Sequence, residues 1–298
     1  MREAKRFAVW FVVLAIVVIA GDRIGAFICS RVLLASQFRL SRIYRGGANA
    51  DILVIGDSRG VHSFYAPAIE TLTGRPALNL SCNSMSMPIA EALLADYLDR
   101  NAAPRMVIIE TTCVVVNRGL VSELRTYAGL SKRLETLYAR EHPRAAAAGR
   151  LFRLLPYDSE FFLRALMYLR RSDQDWINRN VIAPHLAASP RGRWSPRPHQ
   201  ENLDALGRLV PLLRARGIEV KLVIAPYHRS VMVDMNEITP GVTRSVPGAR
   251  VMNYADAIEE SRYFADGVHM NAEGSEVFLR MLCSDGVLQC HVEKPPQT

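Results

Sequence analysis

The chain has 298 residues, five cysteines and a formal net charge of +8. That length accommodates one large domain with extensions, or two small domains at most. No nucleic-acid recognition motif accompanies the positive charge, so nucleic-acid binding is set aside. A basic, partly arginine-driven surface near an anionic membrane or an acidic polymer accounts for it.

The N-terminus is the first informative stretch. Arg2, Lys5 and Arg6 precede an apolar run from Phe7 to Ala20, and a second apolar patch, IGAFI, follows Asp22 and Arg23. Positive residues before an apolar run predict a cytoplasmic N-terminus. Extended to Ile28, the run reaches the ~20 residues that span hydrocarbon, with Asp22 and Arg23 near the outer interface. Residues 1–28 are therefore expected to be a single-pass signal anchor in the inner or plasma membrane. The rest would then lie in the periplasm or outside the cell. A cleaved signal peptide ending near Val18 and Ala20 is the rival reading, and a buried core helix is a third. Residues 29–50 read as a helical juxtamembrane stalk ending at Gly46-Gly47.

DILVIG (51–56) is an apolar run opening into Asp57-Ser58-Arg59-Gly60, a buried strand and a turn. Residues 66–73 form a helix stopped by Gly74. ALNL (77–80) is a second strand, followed by the polar loop SCNS. The stretch from Met85 to Asn101 reads as an amphipathic helix with Pro88 in its first turn. RMVIIE (105–110) is a third strand. Strand signals then vanish, and 118–199 reads as a helical insertion, a lid or a docking surface, ending in a Pro/Arg-rich loop. The alternation resumes with a helix over 201–217, a strand over 218–226 ending in Pro226-Tyr227-His228, and a short strand, ARVMNY. FADGVHMNAEG then leads into a last helix. The domain is expected to run from 51 to 290, with 291–298 a loose tail. Cys283 and Cys290 could pair in an oxidising compartment, and Cys82 and Cys113 could also meet. Cys29 is left over.

Alternating strands and helices argue for an α/β domain: a parallel sheet of about five strands, with helices on both faces. Right-handed crossovers bring the carboxyl ends of the strands to one edge, where such sheets bind ligands. Ser58, the SCNS loop, Thr111 and Thr112, His228, and the Asp266/His269 pair all follow strands and should face that crevice. A serine hydroxyl needs a base to attack at neutral pH, and a carboxylate holds the histidine base in the right tautomer. Asp266 and His269, three apart before a helix, suit those roles. The amide of Ser58 and one from the SCNS loop would stabilise the oxyanion. Taken singly, Gly-Asp-Ser can be a turn, and Asp-x-x-His can be a cap with a surface histidine or half a metal site. No partner ligands accompany the pair, and neither metal nor cofactor is expected.

These segments resemble the SGNH/GDSL hydrolase superfamily over roughly 50–115 and 200–284. The resemblance implies a flavodoxin-like three-layer α/β/α fold. DILVIGDSRG resembles the first block, making Ser58 the nucleophile. FADGVHMNAEG resembles the last, making His269 the base and Asp266 its orienting acid. PALNLSCNSMS resembles the second, where the family's oxyanion-hole glycine is replaced by Ser84 or Asn83. The third block departs: Gly-x-Asn-Asp is expected, and the chain has Glu110-Thr111-Thr112-Cys113. A narrower resemblance is to single-anchor SGNH proteins that act beside membrane-bound O-acyltransferases in envelope polysaccharide modification. It implies acyl transfer, most simply of acetyl, to a polysaccharide or other hydroxylated acceptor. A carbohydrate O-acetylesterase and a catalytically silent glycan- or partner-binding subunit are the alternatives.

Other residues carry two readings each. Arg59 either binds an acidic polymer or acyl carrier, or pairs with a carboxylate. His228 is a substrate contact or a loop histidine. Trp176, Trp194 and Tyr227 could stack on sugars, with packing favoured for Trp176 and ligand contact for Trp194. Arg191, Arg193 and Arg197 form a solvated loop or hold an anionic glycan.

Overall fold

A computed structural model describes residues 2–116, 119–188, 192–235 and 237–291, without the side chains of 192–193 and 232–233. Arg191, the Arg193 side chain and the tail beyond His291 lie outside the described residues. In chain order the elements are α1 (Arg2–Ala35), α2 (Arg39–Arg45), β1 (Ile52–Ile55), α3 (Ser58–Ser63), α4 (Ala66–Thr73), β2 (Ala77–Asn79), α5 (Met87–Arg100) and β3 (Met106–Glu110). Then come α6 (Arg125–Ala128), α7 (Lys132–Glu141), α8 (Pro143–Leu151), α9 (Glu160–Met167), α10 (Pro184–Ala187) and β4 (Gly192–Trp194). The chain ends with α11 (Gln200–Ala215), β5 (Glu219–Ile224), β6 (Val231–Val233), α12 (Ile238–Ser245), β7 (Val251–Asn253) and α13 (Ala272–Ser284). They form two compact units: 1–45 with 121–172, and 46–120 with 173–298.

The larger unit is a doubly wound three-layer α/β/α fold. Its five strands are all parallel, in the order β2-β1-β3-β5-β7, which is the flavodoxin-like order for consecutive strands of one sheet. Both faces are covered, so β1 and β3 are buried at every position, as expected for parallel strands between two helix layers. Alternate residues point to opposite faces. Ile52, Val54, Met106, Ile108 and Val223 join Phe64 and Ile69 and the Phe278-Leu279-Leu282 stripe of α13 in one core. Leu53, Ile55, Val107, Ile109, Leu222 and Ile224 face the other way, on the side of α5 and α11, which pack on each other. Gly74 closes α4 in the left-handed conformation, φ 63°, as its sequence position predicts. Three features were not foreseen: the helix α12, the turn of helix that begins at Ser58, and the short parallel pair β4–β6. The last involves three-residue segments too short to carry a period.

The smaller unit is helical. Its α1 is 34 residues long and apolar enough to cross a membrane. Phe7, Trp10, Phe11, Leu14, Ile16 and Val17 are all exposed, so α1 is not a buried core helix. The helix runs without interruption through Gly21. In place of the stalk expected over 29–50, residues 33–43 pack into this unit. Leu33, Leu40 and Ile43 are fully buried. Ser36 donates to the Ala165 carbonyl at 2.7 Å, the Gln37 amide to the Tyr168 carbonyl at 2.8 Å, and Phe38 meets Phe161 edge-on at 5.5 Å. Those partners lie some 130 residues away in sequence, so no local pattern announced them. The expected insertion 118–199 is correspondingly divided: 121–172 belongs here, and 173–199 belongs to the sheet unit.

Candidate active site

Ser58 follows β1 as the first residue of α3. Asp57 caps that helix, its carboxylate accepting the Arg59 amide at 2.9 Å. Gly56 is required by close approach: a Cβ there would lie 2.7 Å from the Glu110 Cβ on the adjoining β3. From the far end of the chain, the 264–270 loop is closed by a bridge between Phe264 and Met270 and by the Ala265 amide donating to the His269 carbonyl. It places the His269 Nε2 2.7 Å from the Ser58 Oγ, and the His269 Nδ1 2.8 Å from the Asp266 Oδ2. The other Asp266 oxygen accepts the amides of Val268 and His269 at 2.8 and 2.9 Å. Burial works against the Asp266 charge, but the His269 hydrogen bond and these amides outweigh it and bring its pKa to about 2. A carboxylate ionised at neutral pH fixes Nδ1 as the protonated nitrogen, which leaves Nε2 to accept the Ser58 proton.

Arg59 has a different place from the substrate-binding one. It is buried, its guanidinium pairs with Glu110 at 3.4 Å, and it lies 3.3 Å over the Tyr227 ring. It donates to the carbonyls of Val268 at 2.8 Å, of Pro226 at 3.2 Å, and of Ala225. Val268 lies between Asp266 and His269, so Arg59 ties the helix that begins at Ser58 to the loop that carries His269. Pairing with a carboxylate, one of its two sequence readings, is what the structure contains. Glu110 also accepts from Thr112 through amide and hydroxyl, at 3.1 and 2.5 Å, and from the Ala225 amide at 3.3 Å. Its burial, opposed by Arg59 and reinforced by Asp57, raises its pKa to about 7. The Asp57 pKa is also raised, chiefly by burial.

His228 is fully buried rather than at a rim. Its ring nitrogens lie 2.7 and 2.8 Å from the Ser230 and Ser261 hydroxyls, and its amide donates to Gly267. Burial, and then Arg229, lower its pKa, so it is a neutral brace for the Asp266 loop. Asn83 and Ser84 are exposed in the loop after β2, which is held against β1 by the Cys82 amide donating to Gly56 at 3.2 Å. Ser84 has φ 58°, the one non-glycine residue at positive φ among those described. This conformation favours glycine. No acceptor meets the Ser58 or Ser84 amide among the described residues. Thr111 and Thr112 are buried in the 3-10 turn that follows β3.

Of the two tryptophan readings, packing fails for Trp176, while Trp194 is exposed as its ligand reading requires. Trp176 is 53% exposed, not packed away. Its ring meets the buried His62 edge-on at 5.4 Å, and the His62 ring is 4.9 Å from that of His269. Trp194, 40% exposed, lies 6.1 Å from Tyr227, which is buried. Arg197 pairs with Glu237 at 3.5 Å on the surface. Sequence reasoning missed the strap that carries Trp176. The Gln174 side chain pairs with both backbone groups of Asn79 on the edge strand β2, at 2.7 and 3.2 Å. The Asn178 carbonyl accepts the Ala272 amide, the Asn180 carbonyl accepts from Asn271, and the Ile182 amide donates to Phe264. A lone glutamine in a loop carries no signal of such a clamp. Cys283 and Cys290 form a disulfide, whereas Cys82 and Cys113 are buried and not joined to each other, and Cys29 is outside any disulfide. The Cys113 Sγ contacts the Met87 Sδ at 3.0 Å instead. No group of metal-binding side chains occurs among the described residues.

Fold and site together define a doubly wound α/β protein with a Ser-His-Asp constellation at the carboxyl edge of its sheet. No family model matches the chain, and no curated protein does. Among solved structures, one from Streptococcus pneumonia named for a platelet activating factor superposes with a TM-score of 0.42 and 11% identity. The match covers 93% of this chain and 98% of that one.

Proposed function

We propose that the protein is a serine-dependent O-acyltransferase of the SGNH type, acting outside the cytoplasm on a polysaccharide or similar hydroxylated acceptor, most simply with acetyl. The observation that carries the acyl chemistry is the continuous chain from the Ser58 Oγ through His269 to Asp266, at 2.7 and 2.8 Å. In the proposed reaction, Oγ attacks the carbonyl carbon of an acyl donor while its proton passes to the His269 Nε2. The amides of Ser58 and Ser84 stabilise the oxyanion. Collapse breaks the bond to the leaving group, which departs with that proton and leaves acyl-Ser58. An acceptor hydroxyl then attacks, His269 takes its proton and returns it to Oγ, and the new ester leaves. The acceptor class rests on the resemblance to anchored envelope proteins, and it is supported by the exposed Trp176 ring, whose face could stack on a sugar beside the base. The long apolar α1 supports a membrane-anchored location, with an integral membrane acyltransferase as partner and donor.

One observation favours esterase activity as a second reading: the Asp266 side chain is 44% exposed, so water reaches the site as an acceptor. The test is p-nitrophenol release from p-nitrophenyl acetate, with and without an oligosaccharide acceptor. A stoichiometric burst, followed by turnover and acylated sugar only when acceptor is present, supports transfer. Steady turnover without acceptor supports hydrolysis. A Ser58→Ala variant that releases as much as the unmodified protein refutes both.

A further inference from the structure

The smaller unit exposes a second apolar surface besides the flank of α1. Leu151 is 65% exposed, Leu163 60% and Met167 63%, with Phe152, Leu154 and Leu155 exposed beside them. They lie at the end of α8, in the turn after it, and on α9.

This surface is fastened to α1 at a definite depth. The Asp22 carboxylate accepts the amides of Arg153 and Leu154 at 2.8 and 3.0 Å, and Arg23 donates to the Leu151 carbonyl at 3.0 Å. Leu154 also packs on Gly25, where a Cβ would come within 3.0 Å of it. Apolar, exposed residues of α1 continue past this point through Ile24, Phe27 and Ile28. From Phe7 to Ile28 the helix rises roughly 33 Å, about the hydrocarbon thickness. Asp22 is six residues short of Ile28, so the 151–155 turn is attached roughly 9 Å inside that end of the apolar run.

We propose that the 151–167 surface is immersed in the lipid leaflet that the C-terminal end of the α1 apolar run reaches, making this unit an interfacial foot beside a single span. Three observations converge on lipid as the occupant. The surface is continuous with the apolar flank of α1. The polar backbone of the turn is satisfied by Asp22 and Arg23 rather than by water, as hydrocarbon requires of any irregular segment. The 121–172 segment carries ten Arg and Lys against five Asp and Glu, a sign that suits anionic headgroups. The inference rests on α1 spanning the membrane.

Full-length protein carrying Cys29→Ser, Cys82→Ala and Cys113→Ala would be labelled with bimane at single introduced cysteines replacing Leu155, Leu163, Val13, Phe27 or Glu276. It would be reconstituted in phosphatidylethanolamine–phosphatidylglycerol vesicles containing acyl-brominated lipid, with circular dichroism reporting the fold of each variant. The expected result is bromolipid quenching at 13, 27, 155 and 163, and loss of iodide quenching there relative to 276. Quenching at 13 and 27 with iodide access at 155 and 163 overturns the proposal while leaving the span intact. Shielding of 155 and 163 from both quenchers means that protein covers them, and it overturns the proposal equally. No bromolipid quenching at 13 or 27 removes the span itself.

Discussion

Replacing Arg59 by methionine removes a buried cation and leaves Glu110 facing burial without its counter-charge. Two contributions can be separated by pH. The first is independent of pH: the carbonyls of Val268, Pro226 and Ala225 lose a shared donor, and the Tyr227 face loses its cation, together about 2–4 kcal/mol. The second comes from Glu110, whose pKa is about 7 when folded against an ordinary value of 4.5. A raised carboxyl binds its proton more tightly in the folded state. Its stability contribution is therefore present below pH 4.5 and is lost as pH rises to about 7, after which the curve flattens. Without Arg59, the strongest influence opposing burial is gone and the folded pKa moves higher still. The unmodified protein should thus stop losing stability near pH 7 while Arg59→Met continues to lose ~1.4 kcal/mol per pH unit. The gap between them should widen by ~2 kcal/mol between pH 7 and 8.5. Urea unfolding in mild detergent would measure this, in a Trp10→Phe background so that Trp176 and Trp194 report on the sheet unit. Adding Glu110→Gln to Arg59→Met should remove the widening. A gap below about 1 kcal/mol at pH 6, or one that stays constant to pH 8.5, refutes the assignment of Arg59 and Glu110 as a coupled brace.

Further outcomes follow from the same geometry. Asp266→Asn should leave the fold intact but slow the p-nitrophenyl acetate burst by about 10²–10⁴-fold, because the amide no longer fixes the His269 tautomer; stopped-flow absorbance measures it. Gly56→Ala drives a methyl group against the Glu110 Cβ and should cost about 1–3 kcal/mol in urea unfolding. His228→Phe strands the Ser230 and Ser261 hydroxyls and should lower stability by about 2–3 kcal/mol, with the burst little changed because the backbone amide that holds Gly267 is kept. Trp176→Ala should leave the burst unchanged and weaken acceptor-dependent transfer by about tenfold, matching the ~1 kcal/mol or more of a lost aromatic contact; acylated oligosaccharide would be quantified by mass spectrometry.

The sheet was legible because parallel strands buried on both faces are short, continuous apolar runs. DILVIG, RMVIIE and IEVKLVIAP announce themselves, and crossovers of fixed hand then bring Ser58 and His269 to one edge. What escaped were arrangements made by partners remote in sequence: the burial of Leu33 and Leu40 against 121–172, the Gln174 clamp on β2, and the exposure of Trp176. Ser84 was legible only as a substitution in a motif. Its φ of 58° is one that favours glycine, and a polar loop residue bears the conformation at modest cost.

The third strand end is the most instructive case. Read alone, Glu110-Thr111-Thr112 is a missing oxyanion donor and argues for lost activity. In the structure Glu110 is the counter-ion of Arg59, the residue directly after Ser58, and Arg59 in turn grips the Val268 carbonyl between Asp266 and His269. A carboxylate at the end of β3 is tolerable only because a guanidinium enters the same buried space. That guanidinium is itself tolerable there only beside a carboxylate and several carbonyls. Glu110 and Arg59 are thus one feature, a buried pair that forms a brace behind Ser58, His269 and Asp266. The side-chain donor that is absent from β3 leaves backbone amides as the means of stabilising an oxyanion. Stabilisation of the oxyanion should therefore depend on the position of the Ser84 loop rather than on any single polar side chain. Ser84→Gly, which keeps the amide and relieves the backbone, should preserve the burst. Ser84→Pro, which deletes the amide and forbids positive φ, should abolish it. Equal activity in the two variants, in the same stopped-flow assay, would exclude the Ser84 amide from the oxyanion site.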